Sequence, residues 1–485
     1  MVVSSMEAQT FFSLENSEKK YIEYLSYIKN NLVQHPLSEL NTDEKIIKIL
    51  KSDSTGSINS YMRQKCYHFV DNMRDTSYLN TNILSSFSSS KIDTFNYRFD
   101  FSTNYKFKSF TAGYTYVLDK DYQKDKNYFG SIGKFGHEVL GRSSRSYLKY
   151  SKRNLILFAG RVNRNFGLIN SKSLILSNNP FSYDHFSLTL KNSLFHFFSL
   201  FTRLDDKEGY DVRDDPRQIN WNKRYFSFHR LDISFSENLK LGLSESVLYT
   251  GTNQNMLANY SNPMNFFFIS KMVERKGIQE RDANILLAID FLFKPRKNLI
   301  FFSQFLIDDT EFTRELRRRY PDRLGYLGKI IVLDLIKGSM LSFGYTTLSN
   351  YTYNSYYTNG NYTFFGKSIG FPFNGYKSFD ITFDFFSMED YVFSLGIFSN
   401  IKRNQDLDSH FVDEKNTSFP LNPAQKSVGC FLDISLVKNL NGSIIFHLKA
   451  QSFENYLYEP EHKKVNYLAQ LKLNYYLSKD IFIRE

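Results

Sequence analysis

The chain of 485 residues has little cysteine, proline or glycine, and each shortage excludes a class of protein. Its two cysteines, Cys66 and Cys430, are too few for a disulfide scaffold and too far apart for a metal knuckle. One long-range disulfide and two free thiols both remain open. Glycine (23) and proline (10) are too scarce for a collagen-like or low-complexity chain. No stretch approaches the ~20 consecutive apolar residues of a membrane-spanning helix, so we exclude a helical membrane protein.

Aromatic and basic residues are the types that the chain has in excess. Phenylalanine (48) and tyrosine (34) are abundant, and aromatic side chains favour the pleated surface of a β-sheet. Lysine and arginine (61) outnumber aspartate and glutamate (50), and the net charge of +11 favours an anionic partner such as lipid headgroups or an acidic polysaccharide. A solvated surface without a partner is the alternative. Because the charges are spread along the whole chain, we expect no nucleic-acid partner.

The sequence contains no recognisable catalytic or metal-binding motif. Its nine histidines show no His-Glu-x-x-His spacing, and Gly-x-Ser-x-Gly is absent. Asp308 and Asp309 are adjacent, and adjacent side chains of an extended chain point to opposite sides, so they make a poor acid/base pair. We therefore predict that the protein is not an enzyme and that it holds no metal and no cofactor.

Residues 1–90 differ from the rest of the chain. Apolar residues recur there at helical spacing in three short segments, at residues 21–32, 46–50 and 58–69. They predict a small helical region that packs on a larger body. The first ten residues have neither the basic nor the apolar part of a signal peptide, so we expect the start of the chain to be processed or incomplete.

From about residue 92 the apolar period becomes two, which is typical of β-strands. Each predicted strand has an apolar face and a polar, often charged, face. Short and long connections then alternate along the chain, with short turns at residues 236–238, 295–298, 337–339 and 438–442. Counting strands between these connections predicts about eighteen, as expected for a large barrel, and the last of them begins at Ile481.

Long loops at one end and short turns at the other are typical of a bacterial outer-membrane barrel. Closure of the sheet leaves no unpaired backbone edge in hydrocarbon. We therefore predict an all-β protein with a small α-helical N-terminal region, in which residues 91–485 form an antiparallel transmembrane β-barrel of about 18 strands. Residues 1–90 would lie on the periplasmic side. A large soluble all-β protein is the alternative.

Charged side chains on the polar strand faces would point into the lumen. They carry both signs, as in Arg98, Asp100, Arg230, Asp232 and Asp384. Because buried charges are costly unless paired or hydrated, the lumen is either filled with water or cross-linked by ion pairs. We favour a plugged, non-conducting lumen over an open pore, since the long loops are able to fold inward.

Several motifs resemble the Wzi family of capsule-assembly proteins. Their order and spacing carry the resemblance, which covers most of residues 155–385. The matching residues are Gly160 and Arg161, the run Leu174-Ile-Leu-Ser177-Asn178-Asn179-Pro-Phe181, Asn262 and Pro263, Asp308 and Asp309, Tyr351-Thr-Tyr353, and Gly366-Lys-Ser-Ile-Gly370.

The resemblance implies an eighteen-stranded outer-membrane barrel with a periplasmic helical bundle. It also implies a non-enzymatic role in capsule assembly, that of a surface lectin which binds exported capsular polysaccharide and anchors it to the bacterial cell. The expected partners are this polysaccharide and outer-membrane lipid, and we expect a monomer. One alternative is an outer-membrane porin or transporter for small solutes, anionic ones included. Another is a barrel enzyme that hydrolyses lipid or glycan at the rim.

Binding of such a polymer needs aromatic faces against sugar rings and cations against its acidic groups. Three predicted loops supply both kinds of side chain. The candidate residues are Arg213, Arg217 and Trp221 in one loop, Arg317, Arg318, Arg319 and Tyr320 in the next, and Tyr353, Tyr356 and Tyr357 in a third. The alternative interpretation is that they are hydrated loop residues and interface tyrosines.

Overall fold

In the computed structural model, the described part of the chain is dominated by one β-sheet. The residues that the structure describes are 16–28, 78–91, 94–125, 127–128, 140–168, 171–209, 220–250, 259–273, 283–309, 322–355, 358–388, 391–403, 407, 424–439 and 442–482. The predicted helices at residues 46–50 and 58–69 lie outside these ranges.

Twenty-two strands are found in the described residues. In chain order they are β1 (Tyr78–Lys91), β2 (Thr94–Phe107), β3 (Phe110–Asp119), β4 (Leu140–Lys152), β5 (Leu155–Val162), β6 (Tyr183–Lys191), β7 (Phe195–Arg203), β8 (Lys207–Gly209), β9 (Asn220–Asn222), β10 (Arg224–Ser236), β11 (Leu239–Thr250), β12 (Ala283–Arg296), β13 (Leu299–Asp309), β14 (Arg323–Leu333), β15 (Ser339–Leu348), β16 (Thr363–Phe364), β17 (Lys367–Ser368), β18 (Tyr376–Met388), β19 (Tyr391–Lys402), β20 (Gln425–Asn439), β21 (Gly442–Glu454) and β22 (Lys463–Phe482).

Eighteen of these strands form a single closed antiparallel sheet. Each pairs with its neighbours around the barrel, and β1 pairs with both β2 and β22, which closes the sheet. The remaining four are short hairpins within loops, β8 with β9 and β16 with β17. The predicted eighteen-stranded barrel is therefore confirmed.

Two of the predicted strand positions were wrong, although the count was right. The barrel begins with β1 at Tyr78, inside the segment assigned to the helical region. At the other end, no separate strand begins at Ile481, because β22 continues from Lys463 to Phe482. Ser478 and Asp480 resemble turn residues, but they pair with β1 and continue the ladder.

The alternation along the strands separates two surfaces. In β11, Ser244, Ser246 and Leu248 are buried on the lumen side, whereas Leu243 is exposed on the outside. Large exposed apolar side chains are found all around the outer surface, as expected where strands meet lipid. The described lumen contains paired charges, including Arg230 with Asp290, as expected for one of the two predicted alternatives, a lumen cross-linked by ion pairs.

Helix α1 (Asn16–Ile28) lies at the short-turn end of the barrel. Its Lys20 ammonium is 2.6 Å from the Asp384 carboxylate, and the Tyr24 hydroxyl donates to Asp334 over 2.6 Å. Both partners belong to the barrel, so α1 packs on the barrel itself. The predicted helical bundle is not seen in the described part of the chain, where the helices are α1, α2 (Phe267–Val273) and short turns of helix. None of the described helices is long and apolar enough to cross a membrane.

Candidate functional site

Two long loops turn back into the lumen. The first inward loop (residues 163–182) joins β5 to β6, and the second inward loop (residues 349–375) joins β15 to β18. Their apolar side chains are buried in the main core cluster, together with inward-facing residues of the barrel wall. The two loops therefore fill part of the lumen with packed side chains.

The two inward loops are joined by direct hydrogen bonds. The Ser177 amide donates to the Ile369 carbonyl over 2.9 Å, and the Asn179 side-chain amide donates to the Ser368 carbonyl over 2.9 Å. Asn178 accepts from Lys172, over 2.7 Å, within the first loop. The Ser-Asn-Asn part of the family motif thus holds the inward loops in place.

Tyr353 and Tyr362 fasten the second inward loop from within. The Tyr353 hydroxyl donates to the Leu174 carbonyl, and the Tyr362 hydroxyl lies 2.8 Å from the carbonyl oxygen of Ile175. Both rings are completely buried, and this burial raises the pKa of both phenols above its ordinary value. Tyr353 was predicted to contact polysaccharide; this prediction was wrong, because a ring without exposed surface cannot stack on a sugar.

Asp308 has a structural role at the same place. Its carboxylate accepts the Tyr353 amide over 2.8 Å and lies 3.9 Å from the Arg323 guanidinium. Tyr353 has a positive φ of 77°, which is unusual for a residue other than glycine. Asp308 therefore fixes a sharp bend of the second inward loop. Asp309 pairs with Arg323 through the strand register, and its side chain lies outside the described set.

Arg224 and Gln304 are anchoring residues that the sequence analysis missed. The buried Arg224 guanidinium donates to the carbonyls of Asn359, Asn361 and Thr363 over 2.6–2.8 Å and pairs with Asp205 over 3.0 Å. Gln304 accepts the Leu174 amide, so it holds the first inward loop. The lumen face of β10 also carries Arg230 and Asp232, and that of β13 carries Asp308. Nothing in the sequence therefore distinguishes Arg224 or Gln304 from the other polar lumen-facing residues.

A cluster of aromatic and basic side chains lies at the long-loop end, where the inward loops enter the lumen. We call it the mouth cluster; its members are Tyr122, Tyr128, Arg142, Phe181 and Lys367. The Arg142 guanidinium carbon lies 4.3 Å, and the Lys367 ammonium 3.8 Å, from the centre of the Phe181 ring. The rings of Tyr122 and Tyr128 stack at 5.0 Å.

The mouth cluster keeps cations and aromatic faces partly accessible. Phe181 is buried, whereas Arg142, Lys367 and the two tyrosines are half-buried. Lys367 is paired with Asp125, and Arg142 donates to the Ser182 hydroxyl over 2.6 Å. These partners fix the orientation of both cations. Such an arrangement is able to bind an anionic sugar by charge pairing and ring contact.

The two tyrosines of the mouth cluster are protonated and therefore neutral, and burial favours this state. Burial raises the pKa of Tyr122 to about 12, although the nearby guanidinium groups of Arg98 and Arg142 oppose the shift. The pKa of Tyr128 is also raised by burial. Both phenols therefore remain hydrogen-bond donors at physiological pH. Lys367 lies within the Gly366–Gly370 motif, whose sequence alone does not indicate a binding role for it.

A polar cavity of about 660 Å³ lies in the lumen between α1 and the inward loops. Its charged lining carries both signs, with three lysines against four carboxylates among the described residues. They are Lys20, Lys172, Lys329, Glu23, Asp380, Asp384 and Asp433. Because the acidic groups outnumber the basic ones, the described lining does not form the basic constriction that an anion-selective pore needs.

Most of the other predicted binding residues lie outside the described part of the chain. This holds for Arg213, Arg217, Arg317, Arg318, Arg319, Tyr320, Tyr356 and Tyr357. The backbone of Trp221 pairs with Glu208 in the β8–β9 hairpin, and its side chain is not described.

Three further motif residues, Gly160, Arg161 and Asn262, have roles in the local structure. Gly160 has a φ of 137°, which L side chains rarely adopt. Arg161 pairs with Asp184 across β5 and β6, and the Asn262 side chain accepts the Met264 amide over 3.0 Å, one residue beyond Pro263. The described residues contain no group of three side chains suited to a metal. Cys430 is a free, exposed thiol, and Cys66 lies outside the described ranges.

Comparison with known families decides what kind of barrel this is. The model of the family "capsule assembly protein Wzi" matches residues 69–327, which is more than half of the chain. The chain belongs to the Wzi family of capsule assembly proteins. As a Wzi-family barrel, it is a protein of the bacterial outer membrane.

The chain is also similar to several solved structures. Wzi of Escherichia coli, described as a carbohydrate-binding β-barrel of the outer membrane involved in group 1 capsule assembly, matches with a TM-score of 0.58 at 13% identity, over 95% of this chain and 98% of its own. OprD of Pseudomonas aeruginosa and OccAB4 of Acinetobacter baumannii each match over 84% of this chain, with a TM-score of 0.46 and identities of 11% and 9%; the matches span 96% and 100% of those chains. Comparison with curated protein sequences gave no match.

Proposed function

We propose that this Wzi-family protein binds exported capsular polysaccharide at the outer face of its barrel and anchors it to the cell, without catalysis. The observation that carries the proposal is the packing of the two inward loops in the lumen. These loops occupy space that a transport channel would keep open, and they place the mouth cluster at the outer end. The carbohydrate binding described for the E. coli relative supports the same function.

Binding would be the sum of several weak contacts along the polymer. The mouth cluster would supply one contact, with Arg142 and Lys367 facing acidic sugars. The loops that carry Arg213, Arg217 and Trp221, and Arg317–Arg319, would supply others. A repeating polymer engages such sites together, so modest individual affinities give firm retention.

We also propose that the chain consists of an N-terminal helical region on the periplasmic side followed by the barrel. The barrel begins at β1 instead of residue 91. The contacts of α1 with the short-turn end support a periplasmic position for the helical region. A monomer is sufficient for this function, because the pairing of β1 with β22 leaves the sheet without a free edge.

The first experiment removes the cations of the mouth cluster. In cells, Arg142→Ser combined with Lys367→Ser should lower the fraction of capsule that stays attached and raise the fraction released into the medium. The matched control is Lys426→Ser, which removes an exposed cation paired with Glu454 at the same end of the barrel. Equal capsule retention in the double variant and the control, at equal barrel abundance in the outer membrane, would refute a binding role for the cluster.

A second experiment addresses the predicted arginine run. Replacing Arg317, Arg318 and Arg319 together with serine should lower cell-attached capsule while the barrel still folds, because three cations near the polymer are lost. Capsule imaging and heat-modifiable electrophoretic mobility measure the two effects. Unchanged attachment would remove this loop from the binding surface.

The alternative function is a porin or transporter for small solutes. The polar cavity of about 660 Å³ is the observation in its favour. This function predicts large, stable conductance steps in planar bilayers and normal capsule retention after deletion of the gene. Our proposal predicts the reverse of both.

A further inference from the structure

The outer wall of the barrel is covered at one place where lipid contact would be expected. Along β11, Glu245, Val247 and Tyr249 alternate with lumen-facing residues and therefore point outward, as Leu243 does. Leu243 is exposed, yet Val247 and Tyr249 are completely buried. Something outside the barrel covers the long-loop end of this strand.

The cover is a segment of the loop between β11 and β12, residues 259–273, which includes α2. Its Tyr260 and Phe267 are fully buried and belong to one small cluster with Val247 and Tyr249. The rings of Tyr249 and Tyr260 lie 5.1 Å apart. The cluster also contains Ala283 and Ile285, two outward residues at the loop end of β12. The segment therefore lies flat on the outer face of two barrel strands.

A polar pair fastens this segment to the wall. The Glu245 carboxylate accepts the Phe267 amide, with 3.1 Å to each oxygen, and lies 3.5 Å from Nδ1 of His229. His229 faces outward on β10 and stacks on the Phe267 ring at 4.2 Å. A carboxylate on the lipid-facing side of a barrel is costly. Here the segment shields it and satisfies its oxygens.

Most of the exposed side chains in the described part of the segment are apolar, Asn262 being the polar one. Met264 is 74% exposed, Phe266 67% and Ile269 56%, and Phe268 is also exposed. This surface continues the apolar band of the wall, because the neighbouring outward residues of β11 and β12, Leu243 and Ile289, are exposed as well. Glu245 and Tyr249 are four residues, about 14 Å, apart along β11, and the segment contacts both, so it covers this length of the strand.

We propose that residues 259–273 form a lateral arm that lies in the outer leaflet, with Met264, Phe266, Phe268 and Ile269 in contact with lipid acyl chains. The arm is continuous with the lipid-facing band, and lipid is the occupant that this band already meets. Its role is to hold the loop end of the barrel at a fixed depth in the membrane. This role is independent of polysaccharide binding.

Tryptophan fluorescence tests the arm, because the chain contains a single tryptophan, Trp221. In a Trp221→Phe background, Phe266→Trp is reconstituted into phosphatidylcholine vesicles with brominated or unbrominated acyl chains. The positive control is Ile289→Trp on the apolar band. The negative control is Leu457→Trp, an exposed residue of the outer loop between β21 and β22.

We expect Phe266→Trp to emit at short wavelength and to lose emission in brominated vesicles as strongly as Ile289→Trp. Long-wavelength, unquenched emission like that of Leu457→Trp would overturn the proposal, since the arm would then lie in water. Short-wavelength emission without bromine quenching would also overturn it, because another protein surface would cover the arm. Phe268→Trp repeats the test if Phe266→Trp does not fold.

Discussion

A few single residues hold the inward loops in place. At some of them a larger side chain would collide with the backbone, and at others a different side chain would leave buried polar groups without a partner. At Gly370 the backbones approach so closely that an added Cβ would lie 2.2 Å from the Leu174 carbonyl oxygen. Arg224 satisfies three carbonyls of the second inward loop and one carboxylate at once. The position of a whole loop therefore depends on a few close approaches.

Replacing Arg224 with methionine should be strongly destabilising. The change leaves Asp205 and three carbonyls buried without their partner, and removal of one member of a buried ion pair costs about 3–5 kcal/mol. Urea unfolding in detergent micelles, followed by circular dichroism, measures the loss. The matched control is Arg203→Met, whose exposed pair with Asp206 should contribute about 0–1 kcal/mol. Equal losses in both variants would contradict the anchoring role.

The inward loops are the elements that distinguish this barrel from an open one. Each leaves and rejoins the wall at the long-loop end, and the two meet through Ser177 and Asn179 in the lumen. In its described residues, neither loop contains a long helix or strand. Their fixed shape comes from tyrosine hydroxyls, buried carbonyls and close glycine contacts.

Shortening the second inward loop should open the lumen. If a short Gly-Ser linker replaces residues 351–374, we expect stable conductance steps in planar bilayers, because Tyr353, Tyr362 and their neighbours no longer occupy the interior. The unaltered protein should not show such steps. The control replaces residues 455–462, an outer loop whose described hydrogen bonds run within itself and to Ala424, Gln425 and Lys464. A silent variant, or a conducting parent, would contradict the sealed lumen.

The barrel could be predicted from the alternation of apolar and polar residues along each strand and of short and long connections along the chain. Both patterns are visible locally in the sequence. The contents of the lumen could not be predicted in this way. Tyr353 belongs to a tyrosine-rich loop, which predicts a position on the outer surface, but its amide is held by Asp308 of strand β13. The mouth cluster likewise brings Arg142 and Lys367 together only after both inward loops are folded. Such contacts depend on the tertiary structure, not on local pattern.

The whole molecule presents apolar side chains around its circumference, and this surface requires a lipid or detergent environment. Phe186, Val428 and Tyr467 are among the exposed apolar residues, and they lie on β6, β20 and β22. We expect purified protein to sediment as a monomer in detergent and to aggregate when detergent is removed. Analytical ultracentrifugation measures both. A monodisperse species in plain buffer would refute the membrane barrel.

The seam between β1 and β22 has a consequence for biogenesis. The first and last described strands of the cylinder must find each other, and their pairing is the most distant in sequence that the ladder contains. Until β22 has paired with β1, the sheet exposes an edge at each end that is able to capture strands of other chains. Closure of this seam is therefore a long-range step of assembly, and until it is complete the open edges need protection from other chains.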